Sequence, residues 1–145
     1  MTRNEKLLYM NIGILKHLIK DYIENSINVD EKELKYIITY CEKAKARMDQ
    51  LGKVEVDAKI EAKAIQRIKD KFEISSSKVK NDEAIWVTDT DMSFFTYINT
   101  TAMLIEEALE NMKNLDKELQ KYLKYIRTYN YKFFKMVEET ADKIN

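Results

Sequence analysis

The stretch that decides the fold is NMKNLDKELQKYLKYIRTYNYKFFK, residues 111–135. Lysines and one arginine alternate with tyrosines and phenylalanines, while apolar residues recur every three or four positions. Placed at 100° per residue, the apolar side chains gather on one half of a helix and the cations on the other half. The stretch therefore predicts an amphipathic helix, with one face to bury and a basic face towards solvent.

The same spacing continues on both sides of this stretch. From Phe95 to Ile144 the steps alternate between three and four, and 12 of the 15 positions on this stripe are apolar. About seven heptads in one phase predict a single coiled-coil-like helix over 92–145, roughly 80 Å long at 1.5 Å per residue. The asparagines and Asp116 within 111–118 leave a hinge as the alternative.

A helix of that length would extend beyond the rest of the chain, so its excess apolar stripe needs another partner. We therefore predict a homodimer formed through the C-terminal helix, antiparallel because an acidic segment of this helix adjoins a basic one. The predicted dimer seam consists of Ile105, Leu109, Met112, Leu119, Leu123 and Ile126.

Composition supports an all-α fold. The chain has 145 residues, of which 45% are hydrophobic, with two glycines and no proline. Helices need few turn residues, whereas sheets and loops need many. We expect one helical domain over 1–145, without an internal repeat. It comprises a bundle of three shorter helices within 1–72, a connector over 73–91 and the long helix over 92–145.

The three shorter helices are predicted from apolar stripes and capping signals. Thr2 and Glu5 have the spacing of a capping box at the start of the first helix. Cys41 falls on the apolar stripe of the second helix, which predicts a core position. The three helices span about residues 3–24, 30–51 and 54–71.

The connector over 73–91 is acidic and lacks helical periodicity, so it predicts either an irregular segment or a short β-hairpin. It contains the only tryptophan, Trp86. Either Trp86 covers one end of the bundle, or it anchors a basic partner. In the second interpretation the partner-binding residues are Trp86, Asp82, Glu83, Asp89 and Asp91.

Charge is segregated along the chain although the net charge is zero. Residues 81–112 contain no lysine or arginine, whereas 113–135 contain seven basic and two acidic residues. The basic segment is either a solvated face or a surface for an acidic partner or a nucleic-acid backbone. The predicted partner-binding residues of this segment are Lys117, Lys121, Lys124, Arg127, Lys132 and Lys135.

Several chemistries are disfavoured by the residues present. One cysteine and one histidine cannot supply a disulfide within the chain or a zinc site of the usual kind. No glycine-rich nucleotide-binding motif occurs. The longest uncharged run, over 92–105, is too short to span a bilayer. We expect no cofactor, no metal and no membrane contact, and a cytoplasmic location.

One acidic pattern resembles the magnesium-binding pattern of all-α nucleoside-triphosphate pyrophosphohydrolases of the MazG type. It consists of Glu106, Glu107 and Glu110, followed by Glu139 and Asp142. The resemblance implies that acidic side chains on adjacent helices hold magnesium against a phosphate chain. On one continuous helix Glu110 and Glu139 would be about 44 Å apart at 1.5 Å per residue.

The sequence therefore favours a non-enzymatic protein-interaction module, an adaptor or inhibitor that acts through charge-segregated helical surfaces. Abundant lysine, isoleucine and asparagine suggest a bacterial, phage or mobile-element source. The alternative is a nucleic-acid-binding protein that uses basic helix faces. A magnesium-dependent nucleotide pyrophosphohydrolase is the remote alternative.

Overall fold

The described part of the chain is all-α, as the sequence predicts. A computed structural model describes residues 2–25, 32–52, 59–60, 62–67, 70 and 89–144. Residues 59–60, 62–67 and 70 are helical, and no strand occurs among the described residues. The four long helices are α1 (Arg3–Asn25), α2 (Lys32–Leu51), α3 (Asp89–Asn111) and α4 (Lys117–Ile144).

The four helices pack as an antiparallel bundle in which each helix contacts two others. α1 contacts α2 and α3, and α4 contacts the same two helices. Tyr22, near the end of α1, packs on Phe94, near the start of α3, with ring centroids 5.3 Å apart. α2 and α3 run in the same direction, and the described residues 59–60, 62–67 and 70 lie between them in the sequence. In that segment Ala64 and Ile65 pack against the core.

The start of α1 agrees with the predicted capping box. The Glu5 N–H donates to Thr2 Oγ1 at 3.2 Å, and the Lys6 N–H donates to the Thr2 carbonyl at 3.1 Å. These bonds satisfy amide groups that the first turn leaves unpaired. The predicted stripe of α1 is buried, namely Leu8, Ile12, Leu15, Ile19 and Tyr22.

The predicted single helix over 92–145 is wrong, because the chain turns back at 112–116. Asp116 is the N-cap of α4. Its Oδ2 accepts from the Leu119 N–H at 3.1 Å, and its carbonyl accepts from the Gln120 N–H at 2.9 Å. The spacing of apolar residues by three and four continues across this turn because α3 and α4 both bury their apolar stripes in the same core.

The predicted dimer seam lies inside this core. Ile105, Leu119, Leu123 and Ile126 are each at most 2% exposed. Leu109 and Met112 are half-buried and pack against the same cluster. Since α3 and α4 fold onto each other and onto α1 and α2, the stripe is covered within one chain. The reason for expecting a second copy along this seam is thereby removed.

The second helix is confirmed, except at its last stripe position. Leu34, Ile37, Cys41, Ala44 and Met48 are buried. Leu51, the next apolar residue in the same spacing, is 52% exposed because the helix ends there.

The remaining N-terminal predictions are only partly covered. Of the predicted third helix, Ile65 is half-buried, as its stripe position predicts. Of the hairpin or irregular connector predicted over 73–91, residues 73–88 lie outside the described residues, and 89–91 are helical and belong to α3. None of the described helices combines the length and apolarity needed to cross a bilayer.

Candidate interaction surface

Five tyrosines line the outside of the contact between α2 and α4. The sequence places Tyr122, Tyr125 and Tyr129 beside the core face of α4, and the structure puts them against Tyr36 and Tyr40 of α2. Tyr36 is 40% exposed and Tyr125 is 37% exposed, whereas the other three are half-buried. These aromatic residues therefore form a surface rather than core.

Four of these rings form a stack of nearly parallel rings that alternates between the two helices, here called the tyrosine stack. Tyr36 lies 4.7 Å from Tyr129 at an interplanar angle of 20°. Tyr129 lies 6.0 Å from Tyr40 at 10°, and Tyr40 lies 4.6 Å from Tyr125 at 18°. Stacking of this kind contributes roughly 0.5–1.5 kcal/mol per pair beyond burial.

Each helix adds the same lysine and threonine contacts beside the stack. Lys43 Nζ lies 5.4 Å from the Tyr40 ring centre, and Lys132 Nζ lies 5.3 Å from the Tyr129 ring centre. Both are cation–π distances. The Thr39 and Thr128 hydroxyls each donate to the carbonyl four residues earlier, in both cases at 3.0 Å.

These matched contacts come from an internal repeat, contrary to the expectation from sequence. Residues 32–43, KELKYIITYCEK, and 121–132, KYLKYIRTYNYK, are identical at eight of twelve positions. A short repeat on two helices far apart in the chain is hard to notice until their packing aligns it. The identical pairs are Lys32 with Lys121, Leu34 with Leu123, Lys35 with Lys124, Tyr36 with Tyr125, Ile37 with Ile126, Thr39 with Thr128, Tyr40 with Tyr129 and Lys43 with Lys132.

The two repeats pack about an approximate two-fold axis. Exchanging them converts the Tyr36–Tyr129 contact into the Tyr125–Tyr40 contact, and the two centroid distances, 4.7 Å and 4.6 Å, agree. The Tyr40–Tyr129 contact maps onto itself. The axis therefore passes through the middle of the tyrosine stack.

The basic residues predicted for partner binding surround this surface and continue across α4. Five of the six are exposed and Arg127 is half-buried. Among the described residues none of the six has a carboxylate within 4.0 Å. These residues are Lys117, Lys121, Lys124, Arg127, Lys132 and Lys135.

One end of the surface is closed by a fixed ion pair. Arg47 Nε and Nη2 donate to Asp116 Oδ2 and Oδ1 at 2.8 and 2.9 Å, and Arg47 Nε lies 3.2 Å from Glu118 Oε2. The Arg47 hydrogen bond, followed by that from the Leu119 N–H, lowers the pKa of Asp116 to about 2. The Tyr122 hydroxyl donates to Glu118 at 2.7 Å, which raises the Tyr122 pKa. The charges of Arg47, Asp116 and Glu118 are therefore already paired.

The hydroxyls of the tyrosine stack are available to a ligand. Tyr36, Tyr40, Tyr125 and Tyr129 form no side-chain hydrogen bond with any described residue. Burial first, and then the neighbouring tyrosines, raise the pKa of Tyr129. A tyrosine hydroxyl is protonated at neutral pH even without such a shift, so it can donate a hydrogen bond to an anionic or carbonyl group.

The acidic connector can be placed only in part. Asp82, Glu83 and Trp86 lie outside the described residues. Asp89 and Asp91 fall in the first turn of α3, but their side chains are likewise outside the described part. The prediction that these five residues bind a partner stays a prediction.

The acidic pattern that resembles a magnesium site is not assembled by the bundle. Glu106 accepts a hydrogen bond from Tyr131 of α4. Phe95 packs on Phe133 with ring centroids 5.4 Å apart, so Glu139, six residues beyond Phe133, lies near the start of α3, at the opposite end from Glu110. Among the described side chains no group of three or more histidines, cysteines or carboxylates could hold a metal ion.

A cavity of about 760 Å³ lies at the end of the bundle where α1 begins and α2 ends. Met48, Leu51, Met112 and Leu119 line part of it. The two carboxylates of its lining are already engaged, because Glu5 accepts the Thr2 hydroxyl at the start of α1 and Asp116 caps α4. This leaves the tyrosine stack and its lysines as the stronger candidate site.

No protein-family model, curated protein or solved structure matches this chain. The functional argument consequently depends on the chemistry of the surface itself. That surface presents four stacked tyrosine rings, basic residues of α4 that have no carboxylate within 4.0 Å among the described residues, and two halves related by the repeat.

Proposed function

We propose that this chain is a non-enzymatic protein-interaction module that binds an acidic partner protein through the basic face of α4. The observation that carries the proposal is the row of six basic residues on α4 with no carboxylate partner among the described residues. A cluster of basic residues attracts the acidic surface of a partner protein and helps to orient it during binding. The adaptor or inhibitor role, and a bacterial or phage source, belong to this proposal.

The tyrosine stack supports a protein partner. Tyrosine is enriched at the centres of protein interfaces because it combines a large apolar ring with a hydrogen-bonding hydroxyl. The rings are ordered by contacts such as Tyr40 on Tyr125 at 4.6 Å. Binding therefore costs less side-chain entropy than it would on a flexible surface.

The test begins with cross-linking in a lysate of the source organism and purification of the captured protein. Its affinity is then measured by calorimetry for wild type and for a triple variant, Lys117→Glu, Lys124→Glu and Lys135→Glu. We expect affinity to fall at least about tenfold, because the variant reverses the charge of the binding face. A matched control is Lys6→Glu, Lys63→Glu and Arg67→Glu, which makes the same net-charge change at exposed positions elsewhere. Equal losses in the two triple variants would contradict the proposal.

Nucleic-acid binding is the second candidate, because the tyrosines lie between lysines of α2 and α4. Aromatic rings in a basic groove are the usual platform for single strands. Fluorescence anisotropy with a single strand and a duplex, measured across a salt series, tests this candidate. Tight binding whose logarithm falls steeply and linearly with the logarithm of salt concentration supports it. Absence of binding at low salt ends it.

A further inference from the structure

We infer that the groove between α2 and α4 is the docking site for an acidic amphipathic helix of the partner, a step that depends on the proposed function. The floor of this groove is the tyrosine stack. Its rims are the repeat lysines that lie four residues before, or three residues after, a stack tyrosine on the same helix. The rim lysines are Lys32 and Lys43 on α2, and Lys121 and Lys132 on α4.

The rim lysines lie in two pairs across the groove. α2 and α4 are antiparallel, and the shortest contacts of the stack join Tyr36 to Tyr129 and Tyr40 to Tyr125. In this register Lys32 lies across the groove from Lys132 at one end, and Lys43 lies across from Lys121 at the other end. The two pairs are roughly 16 Å apart along the groove at 1.5 Å per residue. Acidic residues on both flanks of one helix would match such an arrangement.

The groove floor suits a helix better than a nucleic acid. Tyr40 and Tyr129 each contact two other rings of the stack and a lysine ammonium, so their faces are largely occupied. Nucleobases stack on ring faces. The groove offers mainly ring edges and hydroxyls. An apolar stripe can rest on these edges, as in other helix-in-groove complexes.

Polar recognition would come from the hydroxyls and the lysines together. The hydroxyls of Tyr36, Tyr40, Tyr125 and Tyr129 have no hydrogen-bond partner among the described residues. Each can donate to a glutamate or aspartate that a rim lysine also attracts. Hydrogen bonds to an ionised carboxylate are roughly twice as strong as neutral ones.

Because of the approximate two-fold axis, equivalent positions on α2 and α4 should contribute similarly to helix binding. The two halves of the groove present the same side chains, related by exchange of the repeats. Substitutions at equivalent positions should therefore weaken helix binding to a similar extent. Lys43 and Lys132 are one such pair, and Tyr36 and Tyr125 are another.

The probe is a synthetic amphipathic peptide of about 18 residues with a leucine stripe flanked by glutamates on both sides. Its control carries lysine in place of each glutamate. Binding is followed by NMR of the full chain with ¹³C-labelled tyrosine. We expect the ring signals of the tyrosine stack to shift and that of Tyr131, outside the groove, to stay unchanged. No shift at about 1 mM acidic peptide, which corresponds to very weak binding, overturns the inference.

The matched variants follow in the same assay. Lys43→Glu and Lys132→Glu should each weaken binding about tenfold, whereas Lys6→Glu, at an exposed position of α1 outside the groove, should change it less than about threefold. Tyr36→Phe and Tyr125→Phe retain the rings and remove the hydroxyls, so they test the groove without disrupting the fold. If the peptide affinities of the two variants in a pair differ by more than about fivefold, the two halves of the groove do not bind equivalently, which overturns that prediction.

The other occupants are outcomes of the same experiment. A thymidine single strand that displaces the peptide and binds more tightly assigns the groove to nucleic acid. Self-association that Lys43→Glu and Lys132→Glu abolish assigns it to a second copy. Either result overturns the inference. With the purified partner, loss of affinity in the triple variant Lys117→Glu, Lys124→Glu and Lys135→Glu but not in the groove variants leaves the proposed function standing and removes the docking site. No loss in either set removes both.

Discussion

Arg47, in the last two turns of α2, donates two parallel hydrogen bonds to the carboxylate of Asp116, in the turn between α3 and α4. The same carboxylate accepts the Leu119 N–H and so caps α4. One acidic side chain therefore ends the predicted long helix, starts a new one and attaches the turn to α2. Planar bidentate pairing is the geometry that favours arginine over lysine here.

Replacing Asp116 by alanine should destabilise the bundle, because it removes the N-cap of α4 and leaves Arg47 without its principal partner. Urea denaturation followed by circular dichroism measures the effect. Asp49→Ala, on the exposed face of the same end of α2, is the control and should leave the midpoint nearly unchanged. Equal midpoints for the two variants would show that the cap and ion pair do not stabilise the turn.

The Asp116 carboxyl should also make stability depend on pH in the acid range. Its pKa is about 2 in the folded chain, below the ordinary value of 3.8. Between these values the unfolded chain binds the proton and the folded chain does not, so this contribution is complete above about pH 5 and is lost as pH falls towards 2. The stability difference between wild type and Asp116→Asn should therefore shrink from pH 5 to pH 2. A difference that stays constant across this interval would contradict the assignment.

The interior of the tyrosine stack should be more sensitive than its ends. Tyr40 contacts two stack neighbours and lies beneath Lys43, whereas Tyr36 contacts one. Tyr40→Leu should cost about 1–2 kcal/mol of unfolding free energy, and Tyr36→Leu less than about 1 kcal/mol. Chemical denaturation measures both. The reverse order would mean that the stack does not stabilise the bundle as its geometry indicates.

Shortening a side chain at a position of the predicted dimer seam should destabilise the core of a single chain. Ile126 is 1% exposed, so Ile126→Ala should cost about 2–4 kcal/mol through lost burial and a cavity. Leu104→Ala, at a 44% exposed position, should cost within about 0.5 kcal/mol. The wild-type denaturation midpoint should also be independent of protein concentration. A midpoint that rises with concentration would place the seam between two copies.

Cys41 should react slowly with thiol reagents in the folded chain. It is fully buried, and this burial raises the pKa of its thiol. The nucleophile is the thiolate, so reaction requires an opening of the bundle. Ellman's reagent should label Cys41 rapidly in denaturant and far more slowly without it. Equal rates in both conditions would show that α2 does not cover this residue.

The helical content and the buried stripes follow from local sequence. The steps of three and four that place Leu8, Ile12 and Leu15 on one side of α1 depend only on helix geometry and on the removal of apolar surface from water. The same rule places Cys41 in the core. It also marks the basic face of α4, because long cationic side chains remain in solvent wherever the opposite side is buried.

What sequence periodicity could not decide is which surface covers each stripe. The apolar stripe from Phe95 to Ile144 can be buried equally well against a second copy of the chain or, after a turn, against the same chain. The bidentate contact of Arg47 with Asp116 selects the turn, and it joins residues 69 positions apart. Aromatic residues such as Tyr125 and Tyr129 likewise fit a core edge or an open groove equally well.

The sequence by itself determined the helices, their apolar faces and the segregation of charge, because each of these depends on neighbours three or four residues away. Only the tertiary structure decided the break at Asp116, the stacking of Tyr36 on Tyr129 and the pairing of two related segments about an approximate axis. Those features depend on contacts between distant parts of the chain, and the free energy of such contacts appears in no local pattern.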